Sequence, residues 1–306
     1  MSAPLVSERV NDRPVVAGAL GALVIAFSAI LVRLAEVSPS TAAFFRCAYA
    51  VPALGLLAWI ERRRYGPRPL RERVITLGTG VLFAADLVLW HYSIEAVGAG
   101  LATVLGNIQV VLVALLAWAF LSERPSNRTL ASIPVVFVGV VLISGVVGAG
   151  AYGDDPVLGV VYGVATAIAY ALFILILRHA NADLRRPAGP LFDATLSAAF
   201  FCALAGVLIG DIDWAPDLEA QGWLVLLALS SQVLGWLLIS VSLPRLPAAL
   251  TSILLMLQPV STVFLGALLL SEEPSAVQLS GVAIVLAGVA FATTQTTSRR
   301  RPVSTS

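Results

Sequence analysis

Apolar residues run along this chain in long blocks, separated by short polar connectors. Crossing a bilayer takes about 20 apolar residues at about 1.5 Å rise each. On that ruler ten segments qualify, at roughly 15–34, 41–60, 74–93, 98–120, 130–148, 157–178, 190–210, 221–242, 246–270 and 276–295. The breaks carry turn formers: Ser38-Pro39, Gly66-Pro67-Arg68-Pro69, Gly153-Asp154-Asp155-Pro156, Pro187 to Pro190, and Pro244 with Pro247. No connector is long enough for an inserted soluble domain. The first block follows a polar stretch, 1–14, and further spans follow it directly, so it reads as a retained helix rather than a signal peptide. The pattern predicts an all-α integral membrane protein with ten transmembrane helices.

Composition agrees. Of 306 residues, 58% are hydrophobic and 12% charged, with a mean hydropathy of +0.92; soluble domains carry about 25% charged residues. A net charge of +1 gives no bulk attraction to nucleic acid. Cys47 and Cys202 lie inside apolar segments without a CxxC spacing, and read as small buried hydrophobes.

All 19 basic residues are Arg, and their placement orients the helices. With the N-terminus inside, 17 of the 19 fall in inner segments, Arg33 alone falls outside, and Arg46 lies within the second span. The outer connectors are acidic, with Asp154, Asp155, Asp211, Asp213, Asp217, Glu219, Glu272 and Glu273. The positive-inside rule then places both termini in the cytoplasm of a bacterium, the protein being multi-pass in the inner membrane.

One stretch occurs twice. Residues 99–143 and 248–292 align without a gap at an offset of 149, with 15 identities in 45 positions. Leu121-Ser122-Glu123-Arg124-Pro125-Ser126 matches Leu270-Ser271-Glu272-Glu273-Pro274-Ser275. A repeat of this length marks two copies of one structural unit. Five spans precede residue 150 and five follow it, so residues 1–150 and 151–306 read as two five-helix repeats of inverted topology. Glu123 then faces the cytoplasm and Glu272 the outside. Inverted repeats are a recurring plan of secondary transporters, which alternate access by moving one bundle against the other.

These residues also carry a family resemblance. Gln109 to Gly139 with Leu121-Ser122-Glu123-Arg124-Pro125, and Leu257-Gln258-Pro259 through Leu270-Ser271-Glu272-Glu273-Pro274 to Gly281 and Gly288, resemble the repeat that ends each half of the drug/metabolite transporter superfamily, EamA-type branch. Phe27-Ser28, Arg33, Pro39 and Arg46 are similar to that family's first two helices, although Phe27 stands where the family often has Trp. The pattern is most similar to YddG-type exporters of aromatic amino acids and other metabolites. The resemblance implies export by alternating access.

Polar and aromatic residues at membrane depth are the candidate site. The third span places Thr79, Phe83, Asp86 and Trp90 on one face. Asp86 is the only acid well inside a span. It is either a proton- or amine-binding group or a structural partner to a neighbouring helix. His91 reads as an interfacial residue near the outer end. The fourth span carries Thr103, Asn107 and Gln109, and the ninth Ser252, Met256 and Gln258. Thr103/Ser252 and Gln109/Gln258 are repeat-related pairs that line a central cavity or bond between helices. Pro259 should loosen the ninth helix. Tyr162, Thr166, Tyr170 and Phe173 share a flank of the sixth span, and Gln232, Trp236 and Ser240 a face of the eighth. Trp90, Tyr170 and Trp236 read as cavity walls, whereas Trp59, Trp214 and Trp223 read as belt anchors. Arg46 either pairs with a carboxylate or caps a cavity, and a structural role is preferred. Gly18, Gly21, Gly159, Gly163, Gly281 and Gly288 allow close helix approach.

No catalytic cluster accompanies these residues. His91 and His179 are the only histidines, neither in a ligand-spaced motif, and there is no HExxH or phosphate loop. The expectation is a transporter rather than an enzyme, needing no cofactor or metal. The substrate set is Phe83, Asp86, Trp90, Thr103, Asn107, Gln109, Tyr170, Gln232, Trp236, Ser252, Met256 and Gln258. These suit neutral, mainly aromatic amino acids; the alternative is drugs or lipophilic cations. Ten helices can enclose a cavity in one chain, so the expected state is a monomer in the bilayer.

Overall fold

The computed structural model describes residues 13–122, 124–147, 150–180, 183, 185–242, 245–246 and 248–293, among which there is no strand. Glu123 and the terminal arginines Arg9, Arg299, Arg300 and Arg301 lie outside them. The helices are α1 Pro14–Leu34, α2 Pro39–Tyr65, α3 Leu70–Val97, α4 Ala99–Gly106, α5 Gln109–Leu121, α6 Asn127–Ile143, α7 Pro156–Ala180, α8 Ala188–Ile209, α9 Leu218–Leu227, α10 Trp236–Ser242, α11 Ala248–Leu269 and α12 Ala276–Thr293. A π-helical stretch, Ala228–Gly235, joins α9 to α10. Seven stretches are long and apolar enough to cross a membrane: α1, α2, α3, α4 with α5, α7, α8, and α9 through α10. Three further apolar stretches, Asn127–Ile143, Leu254–Leu269 and Ala276–Ala292, are shorter.

Local chemistry explains the ends. Ser38, Ser126 and Asp217 accept the N–H of Thr41, Thr129 and Ala220 as N-caps. Two expected spans are interrupted. The fourth breaks after Gly106, where Asn107 turns its amide back to the Thr103 carbonyl at 2.9 Å. Such local bonds compete with the helical ladder. The eighth contains the π turn, which is the usual form of an inserted residue in a helix. The ninth, in contrast, shows no break at Pro259: α11 runs on to Leu269. Packing holds it, because Thr262 donates to the Ala26 carbonyl of α1 at 3.0 Å and Gly18 lets Leu254 approach.

Three carboxylates seat on helix N-termini across the molecule. Glu272 accepts from the N–H groups of Ala99 and Gly100 at 2.5 and 3.0 Å. Glu61 accepts from Ala188 and Gly189, both at 2.9 Å. Asp211 accepts from Ser40 N–H at 3.3 Å and from the Tyr92 hydroxyl at 2.7 Å. A helix start leaves N–H groups unpaired and carries a partial positive charge, so an anion suits it. Gly98 makes the Glu272 seat possible: its φ is +84°, and a Cβ there would lie 2.7 Å from the carboxylate. Glu272, read from sequence as an outer-connector acid, is only 3% exposed.

The caps fix direction. Glu61 lies near the C-terminal end of α2 and binds the start of α8; Asp211 follows α8 and binds the start of α2. The two helices run antiparallel. So do α6 and α12, where Thr129 reaches the Ala292 carbonyl and Gly139 packs on Gly281. The starts of α2, α4 and α6 precede those of α8, α11 and α12 by 149 residues each. The main packings come as twins under this pairing, for example α3 on α7 and α9–α10 on α1. Small residues set the separations, as membrane packing requires: Gly159 faces Val97 and Gly163 faces Leu105 and Ser93. Cys47 and Cys202 are free and buried. Trp59 and Trp214 are more than half exposed, while Trp223 packs on the core.

Replacing Glu272 by Ala leaves two buried N–H groups without an acceptor, each costing about 1–3 kcal/mol. The expected result is a fall of roughly 5–10 °C in the thermal midpoint measured in detergent. Glu273→Ala, one residue on and exposed, should stay within about 1 °C.

Candidate functional site

A cavity of about 110 Å³ lies between the halves, roomy enough for several waters or a small solute group. The third span supplies Phe83, Asp86, Leu87 and Trp90; the α4–α5 break supplies Thr103, Gly106, Asn107 and Gln109. Thr166 and Tyr170 come from α7, Trp236 and Ile239 from α10, Leu255 and Gln258 from α11, Ile25 and Ser28 from α1, and Arg46 from α2. Nine of the twelve residues proposed from sequence stand on this wall: Phe83, Asp86, Trp90, Thr103, Asn107, Gln109, Tyr170, Trp236 and Gln258.

Two do not. Gln232 is fully buried behind the wall, where its carbonyl accepts from Arg46 Nε at 3.0 Å and its amide donates to Thr195 Oγ1 at 3.1 Å. The π turn aims it there. Met256 packs against the apolar core instead, as its unbranched thioether allows. The side chain of Ser252 lies outside the described residues, as does that of His179. Thr79, on the sequence face of Asp86, bonds the Thr76 carbonyl at 2.7 Å and stays off the cavity.

Arg46, for which the sequence left a carboxylate partner, a cavity cap and a structural role open, both lines the cavity and bonds a buried side chain. It is 3% exposed, lines the cavity, and stands 5.5 Å from the Trp90 ring centroid. Gln232 holds Nε, but Nη1 is buried without a partner. A guanidinium inside a span, facing the only deep acid, was the signal available. Asp86 is 8% exposed; its main-chain carbonyl accepts from Thr166 at 2.6 Å, while its carboxylate makes no ion pair among the described residues. The cavity so displays a guanidinium and a carboxyl group with no ion pair between them among the described residues.

Aromatic rings form the rest. Phe83 stacks on Phe173 at 4.7 Å and meets Trp236 edge-on at 5.6 Å. Tyr170 meets Trp236 edge-on at 5.9 Å. Edge-to-face pairs at these spacings are attractive and hold the rings in place. His91, read from sequence as interfacial, is 1% exposed, with both ring nitrogens unpartnered, 5.3 Å from the Trp90 ring. It also borders a separate recess with Arg33, Glu36 and Glu95. Among the described residues, no three His, Cys, Asp or Glu side chains converge on a metal position. Chemically, this wall can bind a small solute bearing both charges and an apolar body.

Comparisons with known proteins agree with a solute-binding membrane protein. The model of the EamA-like transporter family matches twice, over residues 13–145 and 157–294. The uncharacterized transporter sll1319 of Synechocystis sp. (strain ATCC 27184 / PCC 6803 / Kazusa) is 27% identical over 80% of this chain and 77% of its own. The uncharacterized transporter YxxF of Bacillus subtilis (strain 168) is 25% identical over 81% and 79%. A crystal structure of another protein superposes with a TM-score of 0.61 at 17% identity, covering 92% of this chain and 96% of that one; it shares the fold. Two successive matches to one family across nearly the whole described chain decide the matter: this is a multi-pass membrane protein, and it belongs to the EamA-like transporter family.

Proposed function

We propose that the protein exports neutral, mainly aromatic amino acids and related metabolites across the bacterial inner membrane by alternating access. One observation carries this: the cavity presents an arginine with an unpartnered N–H and a carboxylate without an ion-pair partner beside aromatic rings. A zwitterion complements both. Its carboxylate suits Arg46, its ammonium Asp86, and a flat side chain suits Trp90, Tyr170 and Trp236. A solute carrying only a positive charge would leave the Arg46 guanidinium uncompensated in a poorly solvated site, which is costly. That weighs against lipophilic cations, the second reading. The outward direction follows the resemblance to YddG-type exporters.

The mechanism needs a topology. We propose ten crossing helices, with residues 1–150 and 151–306 as inverted repeats, both termini cytoplasmic and the chain acting as a monomer. The antiparallel course of repeat-related α2 and α8, and of α6 and α12, supports the inversion. The shorter helices supply about 25 Å at about 1.5 Å per residue, close enough to the hydrocarbon thickness for local thinning to absorb the rest. In a Cys-free background, an impermeant thiol reagent added outside should label a cysteine at Gly153 but not one at Gly66. The opposite pattern would overturn the orientation.

Substrate class is tested by competition in proteoliposomes loaded with a labelled neutral amino acid. Phe, Tyr and Trp should compete better than polar amino acids. Asp86→Asn should weaken amino-acid competition by about 10–100-fold, the worth of a charged hydrogen bond, yet leave competition by aryl propionates, which lack the amine, within about twofold. Competition by lipophilic cations alone would replace the proposal with the second reading. An unchanged preference order in Trp90→Ala, Tyr170→Ala and Trp236→Ala would remove the cavity assignment.

A further inference from the structure

A larger recess, about 220 Å³, opens where α2 ends and α8 begins and shares no lining residue with the central cavity. Its floor is apolar. Gly55 keeps a gap open against Phe192, since a Cβ at 55 would lie 3.1 Å from that ring. Its outer wall is Trp59, 52% exposed, one residue group along from Leu56 at 57%. On a helix that crosses a membrane, this is surface facing lipid tails at the interfacial level, where tryptophan concentrates.

The mouth is basic, and its charges divide into committed and uncommitted. Asp193 is committed to Arg68 at 2.8 Å and to Thr76 at 3.1 Å. Glu61 is committed to the start of α8. Arg186 donates to the carbonyls of Tyr65 and Gly66. Arg62 is exposed and pairs with no carboxylate among the described residues, and Arg73, 46% exposed, is 3.8 Å from Asp193, at the limit of an ion pair. Two arginines are left over an apolar trough.

We propose that this recess seats an anionic phospholipid, with its phosphodiester between Arg62 and Arg73 and an acyl chain along Gly55, Trp59 and Phe192. The planar guanidinium fork matches phosphate oxygens. A zwitterionic lipid brings the same phosphate but adds an ammonium beside the arginines. Free phosphate lacks the chain and leaves the apolar floor wet. The inference needs α2 to span a membrane and is independent of what the central cavity carries.

The test uses the full chain in micelles doped with brominated phosphatidylglycerol or brominated phosphatidylcholine. Quenching of Trp59 fluorescence is read as the difference between the protein and its Trp59→Phe variant. Half-quenching should need a several-fold lower mole fraction of the anionic lipid. Arg62→Gln and Arg73→Gln should each reduce that preference about fivefold. Arg71→Gln, exposed in the first turn of α3 but outside the recess, should leave it unchanged. Three results would overturn the proposal: equal quenching by the two lipids, an equal loss in Arg71→Gln, which would mean general surface charge, or displacement by millimolar inorganic phosphate against sodium chloride of matched ionic strength, which would mean a soluble-anion site.

Discussion

A backbone N–H at a helix start inside a membrane protein has no water to fall back on, and this molecule answers by bringing a carboxylate from the opposite half. Glu61, from the first half, seats on α8 of the second. Asp211 and Glu272, from the second half, seat on α2 and α4 of the first. Apolar packing cannot do this work alone. Lipid tails are as apolar as leucine, so burying leucine between helices gives little reason for one register over another. The caps give that reason, with two N–H donors each on Glu61 and Glu272 and one on Asp211, because a shift of one residue would leave buried donors unpaired.

The cavity inherits its shape from those caps. Glu61 fixes the start of α8, and α8 carries Thr195 two turns on. Thr195 holds Gln232, and Gln232 holds Arg46 by Nε. Without the π turn, Gln232 would be rotated off that line, so the irregular helix and the placement of the guanidinium are one feature. Glu272 likewise fixes the start of α4, eight residues above the break at Asn107 that forms part of the wall. A buried arginine nitrogen left without a partner is expensive. Gln232 cannot serve both nitrogens, because its carbonyl is on Nε and its amide is held by Thr195.

Much of this was legible in the sequence, and the limits have physical causes. Helix positions followed from apolar block length, and the offset of 149 found in the last helices of each half also relates Pro39 to Ala188. The cavity face of α3 followed from periodicity, since Phe83, Asp86 and Trp90 must share a side of it whatever packs there, while Gln109 and Gln258 followed from the repeat pairing. Gln232 and Met256 were misplaced because periodicity assumes a regular helix and cannot say which of two neighbours a face meets. The partner of Arg46 stayed open for a related reason. A charge within a span announces that it has a partner, but only coordinates show that Gln232 satisfies one nitrogen and leaves another bare. The caps were invisible, since Glu61 and Glu272 sit among connector charges and look solvated until the distant glycines that receive them are seen.

Those glycines also distinguish the two halves. Gly98, Gly100 and Gly266 surround the Glu272 carboxylate, and a Cβ on any of them would crowd it. At the repeat offset the matching residues are Pro247, Ala249 and Ala117. Each adds at least one carbon where the Glu272 seat leaves space, and proline, confined to a φ of about −65°, cannot adopt the +84° of Gly98. The same tight seat cannot be built from those residues without moving the backbone. The repeats share a helical frame and differ at the three small positions that make room for Glu272; under the alternating access proposed above, differences of this kind bias which end rests shut.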